Sequence, residues 1–162
     1  MLLIREAQVS DFPRILQINA TEEEKTSRID LARVTQLDRW SDYHKVAVVD
    51  DEVVGFLLVM GETSDYDGDN FRWFVERYSR FLYVDRIVID RTSARRGVGS
   101  ALYSDLIQFA ATHSWSTLCC EINVSPPNPV SHAFHAHFGF EEVGRSAAVG
   151  APKVVSYQVT EI

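Results

Sequence analysis

The 162 residues carry a formal net charge of -7, with 46% hydrophobic and 24% charged residues, which is the balance of an ordinary globular protein and fits a single domain spanning 1-162 with a core of its own. The acidic balance argues against nucleic acid or an anionic membrane surface as the main partner. The start MLLIREAQVSDF has charges too early for a signal peptide, no stretch is long enough to span a bilayer, and the adjacent Cys119 and Cys120 would point to opposite faces of a strand, so reduced thiols in a cytoplasmic protein are expected.

Taken in chain order, Leu2 to Ala7 reads as a first strand, followed by a helix with Ser10 or Asp11 as its cap, Pro13 in its first turn and Phe12, Ile15, Leu16 and Ile18 along one face. The run from Glu22 to Lys25 reads as a solvated loop. A second helix, Asp30 to Trp40, places Leu31, Val34, Leu37 and Trp40 on one side. Val46 to Val49 and Val53 to Met60 form a hairpin around Asp50-Asp51-Glu52, and Gly61 to Asn70 reads as an exposed loop. A short aromatic helix capped by Asn70 follows, with Phe71, Phe74, Val75 and Tyr78 on one side; it is either a lid over a pocket or a cover for the sheet.

The stretch from Phe81 to His113 organises the rest. Leu82 to Ile89 is a β-branched and aromatic strand that ends in Asp90-Arg91-Thr92-Ser93, and from Val98 onward Leu102, Leu106 and Phe109/Ala110 recur at helical spacing. Between them lies Arg95-Arg96-Gly97-Val98-Gly99-Ser100. Two glycines at a helix mouth let backbone approach a ligand, and the helix N-terminus with two arginines favours a phosphate or diphosphate. A P-loop would need Gly-Lys-Ser/Thr, and here Ser100 follows Gly99 directly. The dinucleotide fingerprint would need a third glycine where Leu102 stands, although Glu121 at the end of the next strand imitates its acidic ribose ligand, so that alternative stays open.

After the helix, Thr117 to Val124 reads as a strand broken by Ser125-Pro126-Pro127, and Asn128 caps a helix that stops at Gly139. Phe140 to Val143 and Val154 to Val159 read as two last antiparallel strands around Gly150-Ala151-Pro152. His132, His135 and His137 lack a neighbouring carboxylate or cysteine at ligand spacing, so no metal site is expected.

Strand, Arg-Arg-Gly-Val-Gly-Ser turn and helix resemble the acetyl-CoA motif of the GNAT superfamily of N-acetyltransferases, Gln/Arg-x-x-Gly-x-Gly/Ala, with Ala94 at the Gln/Arg position. The segment Asn128-x-x-Ser131-x-x-Phe134-His135-x-x-x-Gly139-Phe140 resembles the second family motif, with His135 where the family has tyrosine. The resemblance implies an α/β fold, a mixed, mainly antiparallel sheet of about seven strands with helices on both faces. It also implies transfer of acetyl from acetyl-CoA to a primary amine, by direct attack in a ternary complex.

By that resemblance, Ile87, Val88 and Ile89 line the pantetheine and oxyanion site, Arg95, Arg96, Gly97, Val98, Gly99 and Ser100 hold the diphosphate, and Asn128, Ser131 and His135 complete the cofactor site. Asp85 is the first candidate base and Glu121 the second; His135 is the candidate acid, or else packs while the thiolate leaves unaided. Trp40, Asp42, Tyr43 and Trp73 are candidates for the acceptor side, the partner being a small-molecule or peptide amine. A homodimer is compatible with the aromatic insert and tail strands. A coenzyme A sensor without catalysis and a dinucleotide-dependent oxidoreductase are the alternative readings.

Overall fold

The computed structural model describes residues 1–22, 26–146 and 153–162. In chain order the elements are β1 (Leu2–Glu6), α1 (Phe12–Ala20), α2 (Leu31–Trp40), β2 (Tyr43–Val49), β3 (Glu52–Gly61), α3 (Asp69–Val75), β4 (Leu82–Ile89), α4 (Val98–Thr112), β5 (Thr117–Ser125), α5 (Pro129–His137), β6 (Glu141–Arg145) and β7 (Val154–Glu161). The seven strands form one sheet in the order β1-β2-β3-β4-β5-β7-β6, with β4 and β5 parallel and the other neighbours antiparallel. Residues 23–25 of the acidic run and the tail turn at Gly150-Ala151-Pro152 lie outside the described residues.

Local chemistry explains the element ends. Asp50 and Asp51 sit at φ 50° and 65°, the left-handed pair that a two-residue hairpin between β2 and β3 demands. Asp30 caps α2 by accepting from the Arg33 amide at 2.8 Å. Asp11 stands at the α1 cap position, but its carboxylate is taken by Arg5 at 2.7 Å and by the Gln8 amide at 2.8 Å. Helix α3 begins at Asp69 with Gly68 as its cap residue, two positions before the expected cap Asn70, and the Asn70 side chain accepts from the Tyr157 hydroxyl at 3.0 Å instead.

Both faces of the sheet are covered. On one, Val98, Leu102, Leu106 and Ala110 of α4 pack on Leu57, Val59, Leu82, Val84 and Leu118. On the other, α1 and α2 bury Phe12, Ile15 and Val34 against Val46, Phe56 and Val88, and α3 buries Phe71 and Phe74 against Met60, Tyr83 and Tyr157. Cys119 and Cys120 fall into clusters on opposite faces and are both free thiols. The aromatic insert therefore covers the sheet: Trp73 stacks on Tyr157 with ring centroids 4.1 Å apart. Gly144 leaves room for it, since a Cβ there would lie 2.7 Å from the Trp73 ring.

Two irregularities create the site. Strands β4 and β5 pair only at Leu82 with Leu118 and at Tyr83 with Cys119, so beyond that point the parallel strands splay and the sheet opens. On its other edge β4 carries a bulge: Leu58 pairs with Arg86 and the next residue, Val59, with Val84, which leaves Asp85 as the extra residue. A bulge breaks the two-residue alternation. Val84 and Ile87 both face the α4 side, so Asp85 and Arg86, adjacent in sequence, emerge together on the other face, joined by a 2.7 Å ion pair.

Candidate functional site

The splay opens a cleft of about 400 Å³. Its walls are residues 84–89 of β4 and 120–123 of β5, and its far end is the mouth of α4. A single 3-10 turn, Arg91–Ser93, brings the chain from β4 to that mouth, where Arg95 at φ 62° and Gly97 at φ 78° are both left-handed. Gly97 is the cap residue of α4, and a Cβ built there would meet nothing within 4 Å. Unpaired amides at the helix start thus face open space, the setting for an anionic group. The two glycines of the turn serve different ends. At Gly99 a Cβ would lie 3.2 Å from the Phe134 ring, so this glycine lets α4 pack on α5.

Of the residues expected to hold the cofactor, Ile87, Val88, Ile89, Arg95, Gly97, Val98, Gly99, Ser100, Asn128, Ser131 and His135 all line this cleft. Arg96, next to them, is exposed and does not line it. Arg91, overlooked in the sequence, also lines it and is held by Glu22 at 3.1 Å and the Thr21 carbonyl at 2.6 Å.

His135 sits differently from a free acid. It is buried, and both ring nitrogens are engaged inside the fold: Nε2 with the Tyr103 hydroxyl at 2.6 Å and Nδ1 with the Ser131 carbonyl at 2.8 Å. Burial lowers its pKa to about 4, so the ring is neutral at pH 7. With Nδ1–H donating to Ser131, Nε2 accepts from Tyr103, which leaves no proton directed at the cleft. His132 turns to the Asn123 carbonyl at 3.1 Å, so the two histidines have separate partners and do not converge.

A second cavity of about 270 Å³ adjoins the first and shares Thr26, Asp85, Arg86, Glu121 and Asn123 with it. Here the two candidate bases meet, in unlike surroundings. Asp85 is fully engaged: Oδ1 accepts from the Tyr66 hydroxyl at 2.5 Å and Oδ2 from Arg86 Nε at 2.7 Å. Among the described residues Glu121 makes no ion pair, although Arg86 and Lys153 line the same cavity. Its Oε2 accepts from the Tyr83 hydroxyl at 2.5 Å, and Asn70 also bonds to it. Burial pushes the Glu121 carboxyl up to about 8; the charge of Asp85 adds to that push and the Tyr83 bond opposes it. Burial holds both phenols well above their ordinary range, so they stay protonated donors.

Tyr66 was not among the residues that the sequence singled out. It comes from the loop ahead of α3, and the signal that could have found it is an aromatic inside an otherwise Gly-, Asp- and Ser-rich loop. Arg33 of α2 braces it, with its guanidinium over the rings of Trp40 (5.3 Å) and Tyr66 (5.9 Å) and a 2.7 Å ion pair to Asp67. Trp40 accordingly supports the cavity from behind without lining it. Tyr43, expected on the acceptor side, is instead buried beneath α4, its hydroxyl donating to Asp105 at 2.7 Å. Asp42 accepts from the Gly61 amide at 2.6 Å, and Trp73 lies on Tyr157. None of Asp42, Tyr43 and Trp73 lines either cavity.

A sheet split between two parallel strands, with an open helix mouth at one end of the split and Asp85 and Glu121 at the other, is an α/β fold with a cleft suited to an extended ligand that carries a phosphate. The chain belongs to the acetyltransferase (GNAT) family, whose model matches residues 4–140. It is thus an N-acyltransferase by family, and the family's cofactor is acetyl-CoA. This removes the dinucleotide-dependent oxidoreductase alternative. A search of the curated proteins finds no match.

Solved structures share the fold. The ribosomal-protein-alanine N-acetyltransferase of Brucella melitensis is 22% identical, with a TM-score of 0.74 over 99% of each chain. Naa50 of Arabidopsis thaliana, solved with the bisubstrate analogue CoA-Ac-MVNAL, is 13% identical, with a TM-score of 0.76 over 99% of each chain. For yncA of Salmonella typhimurium, solved with its cofactor acetyl-CoA, the values are 18% and 0.72, covering 99% of this chain and 94% of that one. Among the described residues no helix is long and apolar enough to cross a membrane.

Proposed function

We propose that the chain transfers an acetyl group from acetyl-CoA to a primary amine, with donor and acceptor bound together, and that the 162 residues form one catalytic unit. The observation that carries this reading is the continuity of the cleft: it runs from the Gly97–Ser100 mouth, along the unpaired edge of β4, to Asp85 and Glu121. The open space at Gly97, which a side chain would fill, fits a diphosphate. Acetyl-CoA bound there supplies an activated acyl group as a thioester.

The protein's own groups do the rest. Amides of the 98–100 turn and the Arg95 side chain bind the diphosphate, and residues 87–89 offer main-chain groups along the open edge of β4. Glu121, with a pKa near 8 and no ion pair among the described residues, is the base that takes a proton from the acceptor ammonium. That reverses the order of the two carboxylates expected from the sequence. The Arg86 pair and the Tyr66 bond hold Asp85 in place, so it acts on the site through its charge. We assign His135 to positioning: it ties α5 to α4 through Tyr103, and the thiolate leaves without an acid from this residue.

Thermal denaturation with and without acetyl-CoA tests the binding half. At a hundred times its dissociation constant, a ligand specific for the native state adds about 2.7 kcal/mol, or ~5–10 °C at this chain length. NAD is expected to give no shift. Release of free thiol from acetyl-CoA, dependent on an added amine, tests the catalytic half; a thermal shift without any amine-dependent release would leave a coenzyme A sensor.

A further inference from the structure

Resting on the acetyl-transfer reading, we infer that the second cavity is the acceptor site and that it is built for a small amine carrying hydroxyl or amide groups, not for an apolar amine or a peptide. The cavity shares Asp85 and Glu121 with the donor cleft, so a molecule inside it meets the donor where the carboxylates stand. Apart from Gly68, every residue lining it among those described carries a polar side-chain group, and none is aliphatic. An alkyl or aryl acceptor would therefore strip water from these groups and return nothing.

The groups are also preset. Tyr66 and Tyr83 each spend their one proton on a carboxylate, so what they offer the cavity is an oxygen that accepts. Asn70 is fixed between Tyr157 and Glu121. These acceptors, held by internal bonds, face N–H and O–H groups in fixed places, while Thr26, Asn123 and the Lys153 ammonium add donors to the lining for the oxygens of a hydroxyl or amide. The volume of about 270 Å³ lies below the ~300 Å³ at which sites for drug-sized ligands begin.

Sites that pair buried polar groups with a substrate reject analogues lacking the matching group by roughly 10⁴–10⁵, whereas apolar pockets discriminate only roughly 10–200-fold. The test is a set of amines offered with saturating acetyl-CoA: glucosamine, 2-amino-1,3-propanediol and glycinamide against cyclohexylmethylamine, phenethylamine and an alanine-initiated tripeptide. The best polar amine is expected to exceed the best apolar amine and the tripeptide by at least about 100-fold in kcat/KM. Calorimetric titration of the CoA-saturated protein should rank them the same way. Tyr66→Phe, checked by circular dichroism for an intact fold, should narrow the ratio by about tenfold.

Equal or better turnover of cyclohexylmethylamine, phenethylamine or the tripeptide would overturn the inference and leave the acetyltransferase reading standing. A thermal shift with acetyl-CoA but no turnover of any of the six would overturn both.

Discussion

Glu121→Gln is expected to lower kcat/KM by 10²–10⁴, the usual worth of a positioned base, with little change in the acetyl-CoA thermal shift. The wild-type rate should rise with pH through a limb near 8, where the Glu121 carboxyl loses its proton, and the variant should lose that limb. Asp85→Asn removes the neighbouring negative charge that helps to hold Glu121 protonated, so the limb should move to lower pH. An unmoved pH profile in both variants would reject the assignment.

Stability carries the same signature. The folded pKa of Glu121, about 8, lies above its ordinary value of 4.5, so between those two the folded chain holds a proton that the unfolded chain has released. Stability from this group is fully present below about 4.5 and is lost as pH rises through 8, on the order of a few kcal/mol in all. Glu121→Gln should therefore melt close to the wild type at pH 5 and above it at pH 8.5, in thermal scans at both pH values.

The largest loss of stability is expected at Arg86. Its guanidinium is buried and makes bonds to Asp85 at 2.7 Å, Asn19 at 3.2 Å, the Ser27 carbonyl at 2.8 Å and the Ser27 hydroxyl at 2.9 Å. Arg86→Leu would strand a carboxylate that is only 4% exposed. Removing one partner of such a pair costs about 3–5 kcal/mol, or ~10 °C in Tm for a chain of this length. Adding Asp85→Asn should restore part of the loss, because no unpaired charge is then left inside. A single variant that melts within about 2 °C of the wild type would show that Arg86 does not hold β4 to Asn19 and Ser27.

What was legible in the sequence is what local chemistry specifies. Alternating β-branched runs marked the strands, and a Gly-x-Gly turn between a strand and an amphipathic helix marked the mouth of α4. The family motif then named, residue by residue, the positions expected to hold the cofactor, and all but Arg96 line one cleft.

The surroundings of Asp85 and His135 were not legible, because they are set by register and by distant partners. Strict alternation would put Asp85 and Arg86 on opposite faces; the bulge puts them together and turns the expected base into half of an ion pair. His135 kept its place, but its chemistry is decided by Tyr103, 32 positions away, and by burial. Tyr66 reaches Asp85 from a loop that reads as solvent-exposed. Tyr43, near a helix end, was expected on the acceptor side but starts a strand whose inner face lies under α4.

A crystal structure of the chain with coenzyme A bears on the whole account. The diphosphate should lie on the amides of residues 98–100, and the pantetheine arm should occupy the gap between β4 and β5 with its sulfur toward Asp85 and Glu121. A coenzyme bound elsewhere, or a gap closed by strand pairing beyond Tyr83 and Cys119, would contradict it.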